Sequence, residues 1–203
     1  MNYSLYLVTD ERYDNLLGRV ENALRREVTL VQYRAKHKST EKQIAEAKAL
    51  KVLCNKFKVP LIINDNLQVA LAVDAAGVHL GQDDTNCLVA RNILGKNKIV
   101  GVSVHNLLET ELAVLQGADY LGVGAVFPTG TKTDVDVVGL KVLNEICATA
   151  NIPVVAIGGV NFNNYKQAIS VGAKGVAMIT GLLGDWKLNE FLLTEVGHDT
   201  ISD

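Results

Sequence analysis

Eight short apolar runs, each separated from the next by enough chain for a turn or a helix, most constrain what this sequence can fold into. They are Leu5–Val8, Leu30–Tyr33, Leu61–Ile63, Gly77–Leu80, Ile99–Val102, Tyr120–Val123, Val154–Ile157 and Val176–Ile179. Most are continuously apolar rather than alternating, the pattern of strands buried on both faces. Segments of helical character separate most of them. Ser39 to Phe57 is the clearest: Ile44, Ala47, Leu50, Leu53, Cys54 and Phe57 share one stripe, with Glu and Lys elsewhere. Thr40 with Gln43, and Asn106 with Glu109, read as capping boxes. Gly172 follows Asn161–Val171 where a helix C-cap glycine belongs. Pro60 and Pro153 stand just before the third and seventh runs, where a missing N–H costs no ladder bond.

Strand-helix alternation over the whole length implies a parallel α/β architecture. Eight units predict a (β/α)₈ TIM barrel, and 203 residues is near the lower limit for it, so the loops should be short. A doubly wound open sheet is the alternative, because counting strands does not establish closure. No linker or low-complexity stretch divides the chain, so one barrel domain is expected over residues 1–203, with a polar tail after Val196 that can fray.

Composition excludes several partner classes. The net charge is −2 with both signs interspersed, and aromatic residues are 5% of the chain, which argues against a nucleic-acid binder. The N-terminus MNYSLYLVTDER meets an acidic residue too early for a signal peptide, and no apolar run approaches the ~20 residues of a membrane span. Cys54, Cys87 and Cys147 are odd in number and widely spaced, as thiols of a reducing compartment are, and no zinc spacing is present. A cytoplasmic protein acting on small molecules is expected, in no particular oligomeric state.

Polar residues gather where the predicted strands end, the face on which barrel enzymes build their sites. The third run ends in Asn64-Asp65 and the fourth leads into Gln82-Asp83-Asp84. On one rim, Asp65 and Asp84 could converge on Mg²⁺, which takes one or two carboxylates together with substrate phosphate. Equally, each aspartate could cap the helix that follows it. Arg34 and Lys36 alternate with Tyr33 and Ala35, so in an extended segment both point to one side; they suit a phosphate or a solvated strand end. Thr129-Gly130-Thr131-Lys132 offers two hydroxyls and an ammonium on a tight loop without the spacing of a Walker loop. Gly158-Gly159 and Thr180-Gly181 follow the seventh and eighth runs, where barrels often hold phosphate on backbone N–H groups; the plainer reading is tight turns. His79, inside GVHL, reads as a core histidine satisfied by hydrogen bonds. His105 is better placed for chemistry or for orienting neighbours, and His37 and His198 carry no readable role. No Ser-His-Asp or Cys-His arrangement follows from spacing. The rim therefore offers one cationic, carboxylate-bearing device and one neutral, backbone-rich device, for two phosphorylated groups.

Several short motifs in order carry a resemblance. They are YLVTD at Tyr6–Asp10, QYRAK at Gln32–Lys36, IIND at Ile62–Asp65, GVHLGQDD at Gly77–Asp84 and GVSVH at Gly101–His105. DYLGVGAVFPTGTK at Asp119–Lys132, AIGGV at Ala156–Val160 and GVAMITGL at Gly175–Leu182 complete the set. Together the chain resembles the thiamine-phosphate synthase family, which is a (β/α)₈ barrel requiring Mg²⁺. That family joins 4-amino-2-methyl-5-hydroxymethylpyrimidine diphosphate to 4-methyl-5-(2-hydroxyethyl)thiazole phosphate. The resemblance implies that Asp65 and Asp84 bind metal, and that Arg34, Lys36, Asn64 and Lys132 hold the diphosphate. It places Gln32 and Ser103 at the pyrimidine, and Thr129, Thr131, Gly159, Ile179 and Thr180 at the thiazole phosphate. Arg34, Ser103 and Lys132 are the expected catalytic residues. Asn66 stands where many members carry Arg, the Gly130 and Thr133–Val138 stretch differs from the commoner Pro-containing loop, and Thr180 replaces a frequent Ser. A thiazole tautomerase-like relative and a non-catalytic phosphate-ligand-binding regulator are the rival readings. The retained carboxylates and cations weigh against both.

Overall fold

The structure, a computed structural model, describes residues 1–129 and 136–184. Strands and helices alternate: β1 Leu5–Val8, α1 Leu16–Leu24, β2 Leu30–Tyr33, α2 Thr40–Lys56, β3 Leu61–Asn64, α3 Leu67–Ala72, β4 Gly77–Leu80 and α4 Cys87–Leu94. The second half repeats the pattern with β5 Ile99–Val104, α5 Leu107–Leu115, β6 Tyr120–Val123, α6 Gly139–Thr149, β7 Val154–Ala156, α7 Tyr165–Ser170, β8 Gly175–Met178 and α8 Thr180–Leu183. All eight strands are parallel and close into a barrel in sequence order. Closure rests on β1, which pairs with β2 through Tyr6 opposite Leu30 and with β8 through Leu5 opposite Val176. The open doubly wound sheet is thereby excluded.

The continuous apolar runs follow from two separate cores. Leu5, Leu7, Val31, Leu61 and Ile63 pack outward with the helices. Their neighbours Tyr6, Val8, Leu30 and Ile62 pack inward with Tyr120, Val155 and Ala177. Each strand therefore needs apolar residues on both faces. Pro60 and Pro153 donate nothing but accept, from Val31 N–H at 3.2 Å and Leu121 N–H at 2.9 Å.

The helix punctuation agrees in part with the sequence. Along α2, Ala47, Leu50 and Cys54 are buried, and Ile44, Leu53 and Phe57 pack partly buried beside them. Its N-cap is Ser39, not Thr40: the Ser39 hydroxyl accepts from Lys42 N–H at 3.4 Å. Gln43 instead turns back to donate to the carbonyls of Ala35 and Lys38, fixing the loop after β2. At α5 the pairing is as expected: Asn106 Oδ1 accepts from Glu109 N–H at 2.9 Å while Asn106 Nδ2 donates to Glu109 Oε1 at 2.7 Å. Gly172 lies past α7 at φ 109°, the left-handed region open to glycine. Among the described residues no helix is long and apolar enough to cross a membrane.

Candidate active site

The C-terminal ends of the strands surround a cavity of about 490 Å³. Of the residues singled out from sequence, Gln32, Arg34, Asn64, Ser103, Thr129, Gly159, Ile179 and Thr180 all line it. Lys36 and Asp65 line an adjoining cleft, and Asn64 borders both spaces. Arg34 and Lys36 thus line neighbouring spaces that meet at Asn64, not the same face of a continued strand. β2 stops at Tyr33, and the chain turns at Lys36 and His37. Thr131 and Lys132, with Gly130, lie outside the described residues, as does His198.

The aspartates are not helix caps. Asn66 caps α3 by accepting from Val69 N–H at 3.1 Å, and Asn86 caps α4 by accepting from Leu88 N–H at 2.9 Å. The Asn66 departure from the family pattern therefore has a local structural use. Asp65 is left at φ 59°, a left-handed conformation uncommon outside glycine. Two short contacts hold it there: its N–H donates to His79 O at 2.8 Å, and Asn66 N–H reaches back to Asn64 O at 2.7 Å. Its carboxylate meets the Lys36 ammonium at 3.3 Å and faces the carboxylate of Asp84. Burial, then the hydrogen bond and charge of Asp84, push the Asp65 carboxyl up to about 6 against the opposing pull of Lys36. Asp84 is anchored by accepting from Gly81 N–H at 2.7 Å.

This donor set fits a hard cation. Among the described residues no group of three or more His, Cys, Asp or Glu side chains could cage a metal. Mg²⁺ does not need one, since it commonly takes one or two carboxylates and completes its shell with water and phosphate. A buried carboxylate whose proton affinity is raised by a neighbouring carboxylate is a place where a divalent cation relieves repulsion.

A hydrogen-bonded row crosses the floor of the cavity. Gln32 Nε2 donates to the Tyr6 hydroxyl at 2.8 Å, Tyr6 meets the Tyr120 hydroxyl at 2.8 Å, and Tyr120 meets His79 Nδ1 at 2.8 Å. His79 Nε2 then meets Ser103 Oγ at 2.9 Å. The expectation of a hydrogen-bonded histidine within the barrel holds, and the ring also forms part of the cavity wall. His105 lines the cavity with its Nδ1 2.8 Å from Glu109 Oε2. His37, by contrast, is exposed.

The sequence carries no legible role for Tyr6, Tyr120 or Thr9. Thr9 is fully buried, and its hydroxyl accepts from Arg34 N–H at 2.9 Å, fixing the backbone of a cavity-lining cation. The available signal was the YLVTD motif, which carries two of these three residues. Gly159 has a packing reason beside the expected ligand approach. It sits at φ 66°, and a Cβ there would lie 2.5 Å from the carbonyl oxygens of Phe127 and Pro128. The loop after β6 packs against it, so any side chain would disturb the wall itself.

A closed (β/α)₈ barrel with cations, paired carboxylates and small-residue loops on its C-terminal rim belongs to the class of barrel enzymes that act on phosphorylated small molecules. A family model described as thiamine monophosphate synthase matches residues 5–182. The chain is 47% identical over 191 residues to a thiamine-phosphate synthase of Clostridium botulinum strain Hall, covering 91% of this chain and 92% of the relative. It is 42% identical over 193 residues to a thiamine-phosphate synthase of Persephonella marina, covering 94% and 92%. The solved thiamine phosphate pyrophosphorylase of Pyrococcus furiosus superposes with a TM-score of 0.84 at 39% identity, covering 90% of this chain and 88% of that one. The chain belongs to the thiamine monophosphate synthase family.

Proposed function

We propose that this chain is a thiamine-phosphate synthase, a transferase joining 4-amino-2-methyl-5-hydroxymethylpyrimidine diphosphate to 4-methyl-5-(2-hydroxyethyl)thiazole phosphate. The observation that carries the reading is the Asp65–Asp84 carboxylate pair beside Lys36 and Asn64, next to a cavity that Arg34 enters. A diphosphate is the ligand whose charge such a set accommodates. In the reaction the methylene C–O bond breaks and its electron pair leaves with pyrophosphate. The thiazole nitrogen lone pair then forms the new C–N bond to the methylene cation. The products are thiamine phosphate and pyrophosphate, and no protein nucleophile takes part.

Arg34, Lys36 and Asn64 hold the diphosphate in this reading, and Lys132 adds charge as it departs. Gln32 and Ser103 position the pyrimidine. Thr129, Thr131, Gly159, Ile179 and Thr180 hold the thiazole phosphate near the reacting carbon, where positioning converts a bimolecular step into a nearly unimolecular one. Asp65 and Asp84 would hold Mg²⁺. When bound, that ion would neutralise charge on the leaving group. Three free cysteines support a reducing, cytoplasmic setting.

The test is pyrophosphate release on mixing both substrates with Mg²⁺. A thiazole tautomerase would release none, nor would a binding regulator, so silence in this assay overturns the reading. Lys132→Ala should lower turnover by ~10²–10³-fold, as loss of one preorganised donor to developing charge does elsewhere. A loss confined to substrate affinity would leave it a binding contact only.

A further inference from the structure

The row from Gln32 to Ser103 links five side chains on five different strands, and its contacts propagate a direction. The Gln32 amide nitrogen can only donate, so the Tyr6 oxygen accepts and its own proton must go on to Tyr120. Tyr120 then gives its proton to His79 Nδ1, which puts the ring proton on Nε2. Nε2–H donates to Ser103 Oγ, leaving the Ser103 proton to point elsewhere. The reverse direction would set two donors on the Tyr6 oxygen and leave its proton without either row partner. Burial holds both phenols neutral by raising their proton affinity, so neither can act as a charged acceptor.

The barrel is shaped for this row. A Cβ on Gly101 of β5 would collide with the Tyr120 ring and come within 2.5 Å of its hydroxyl. A Cβ on Gly122 of β6 would lie 2.9 Å from His79 Cε1. Tyr3 packs against Tyr120 at a tilt, with ring centroids 4.9 Å apart. Both open ends, Gln32 and Ser103, line the cavity.

We infer that Tyr6, Tyr120 and His79 are positioning residues that make the Ser103 hydroxyl a committed donor and the Gln32 side-chain carbonyl a committed acceptor, so that the cavity selects a 4-aminopyrimidine over its 4-oxo counterpart. The inference rests on the pyrimidine reading given above. A 4-aminopyrimidine offers an accepting ring nitrogen beside a donating amine. The 4-oxo ring exchanges them, with a donating ring N–H beside an accepting carbonyl. A site whose donors and acceptors cannot rotate to suit leaves buried groups unpaired when the ligand's polarity is inverted.

The experiment compares the 4-amino and 4-oxo hydroxymethylpyrimidines in calorimetric binding, and their diphosphates in pyrophosphate release. Wild type should favour the amino form by ~10²-fold or more. Tyr120→Phe keeps the ring and removes the central hydroxyl, and it should reduce that ratio at least tenfold while leaving the KM for thiazole phosphate unchanged. Tyr3→Phe, at a ring that packs on Tyr120 but lies outside the row, should leave the ratio as in wild type. If Tyr120→Phe does not fold, Tyr6→Phe interrupts the row one step earlier and is read the same way. A wild-type ratio near one, or a ratio kept in the interrupted variant, overturns the inference. If wild type binds the amino form selectively and Tyr120→Phe loses that selectivity, but no pyrophosphate is released, the row stands and the assigned reaction falls.

Discussion

Lys36 Nζ stands 3.3 Å from Asp65 Oδ2, so a cation suited to phosphate and a carboxylate suited to metal face one another. The pair is partly exposed and contributes little to stability by itself. Its value is in balance, because Asp65 also faces Asp84 and would otherwise carry unrelieved repulsion. Binding of Mg²⁺ and diphosphate together would give each of these groups an opposite charge.

Asp65→Asn should therefore fold, since the change removes repulsion and leaves the backbone contacts of residue 65 in place. Its Mg²⁺ requirement should rise by at least ~10–100-fold, the loss seen even when groups behind a metal ligand are removed. A Mg²⁺ titration of pyrophosphate release in both proteins measures it. Undiminished activity in that variant, or in wild type with excess chelator, would remove the metal from the site.

Asp10 gives an expected pH dependence away from the metal carboxylates. Its buried carboxylate accepts from Arg12 Nε, Nη2 and backbone N–H, and Arg34 lies close enough to add its charge. The Arg12 hydrogen bonds hold the carboxyl below the usual carboxylate range, against the opposing effect of burial. A depressed folded value means stability that is present above the unfolded value of ~4 and lost as pH falls through the folded value. Wild type should melt about 2–4 °C above Asp10→Asn near neutral pH, the shift of one ordinary interaction in a chain this long. The gap should close below pH ~4. A gap that persists or widens in acid would show that the Arg12 contacts are not what stabilises the segment.

The strands could be read directly from the sequence because both faces of most are buried, which leaves largely apolar runs. Helix caps were harder. Around Asp65 the sequence is Asn-Asp-Asn, and all three residues are good caps, so identity does not say which one turns into the helix. The structure gives that task to Asn66 and frees Asp65. The row from Gln32 to Ser103 was illegible for another reason. Tyr6 and Tyr120 are 114 positions apart inside apolar runs, and only the closed barrel brings their hydroxyls together. The same holds for Thr9 and Arg34, whose contact depends on the register between β1 and β2. The motifs place Gly159 on the rim as a ligand contact, but its packing against Phe127 and Pro128 depends on how the loop after β6 folds and is not legible in the residues.

Gly101→Ala tests the space reserved for Tyr120. The added methyl would collide with the Tyr120 ring, which is itself fully buried and cannot withdraw to solvent. Overpacking of this kind costs ~1–3 kcal/mol. Denaturant unfolding should show that loss with an unchanged m value. A midpoint equal to wild type would mean that the ring moves freely and the glycine is incidental.

Thr180→Val addresses the thiazole phosphate in place of a change at Gly159, where any side chain would disturb the wall. Thr180 opens α8 beside the cavity, and its side chain is exposed to it. Valine keeps the shape and removes the hydroxyl. The KM for thiazole phosphate should rise about tenfold, the lower end for a hydrogen bond to a charged group. That for the pyrimidine diphosphate should be unchanged. Equal effects on both substrates in saturation kinetics would argue against a dedicated subsite.

Thr9→Val probes the support behind Arg34. The Thr9 hydroxyl accepts from Arg34 N–H at 2.9 Å and lies 3.4 Å from Arg34 O, while Thr9 N–H donates to Gln32 O at 2.8 Å. The residue just past β1 thereby fixes two cavity residues, Gln32 on β2 and Arg34 just beyond its end. Valine fills the same fully buried space but cannot accept, so the Arg34 N–H is left without its partner. An unsatisfied buried donor costs ~1–3 kcal/mol, and the backbone will shift to find water if it can. Stability should fall by that amount. Because the shift moves Arg34, the KM for the pyrimidine diphosphate should rise about tenfold while the KM for thiazole phosphate stays as in wild type. Thr9→Ser keeps the accepting oxygen and should restore both stability and KM. A fall in stability with unchanged kinetics would make Thr9 a packing residue alone. Failure of serine to rescue would show that the methyl group, not the hydrogen bond to Arg34, holds the rim in place.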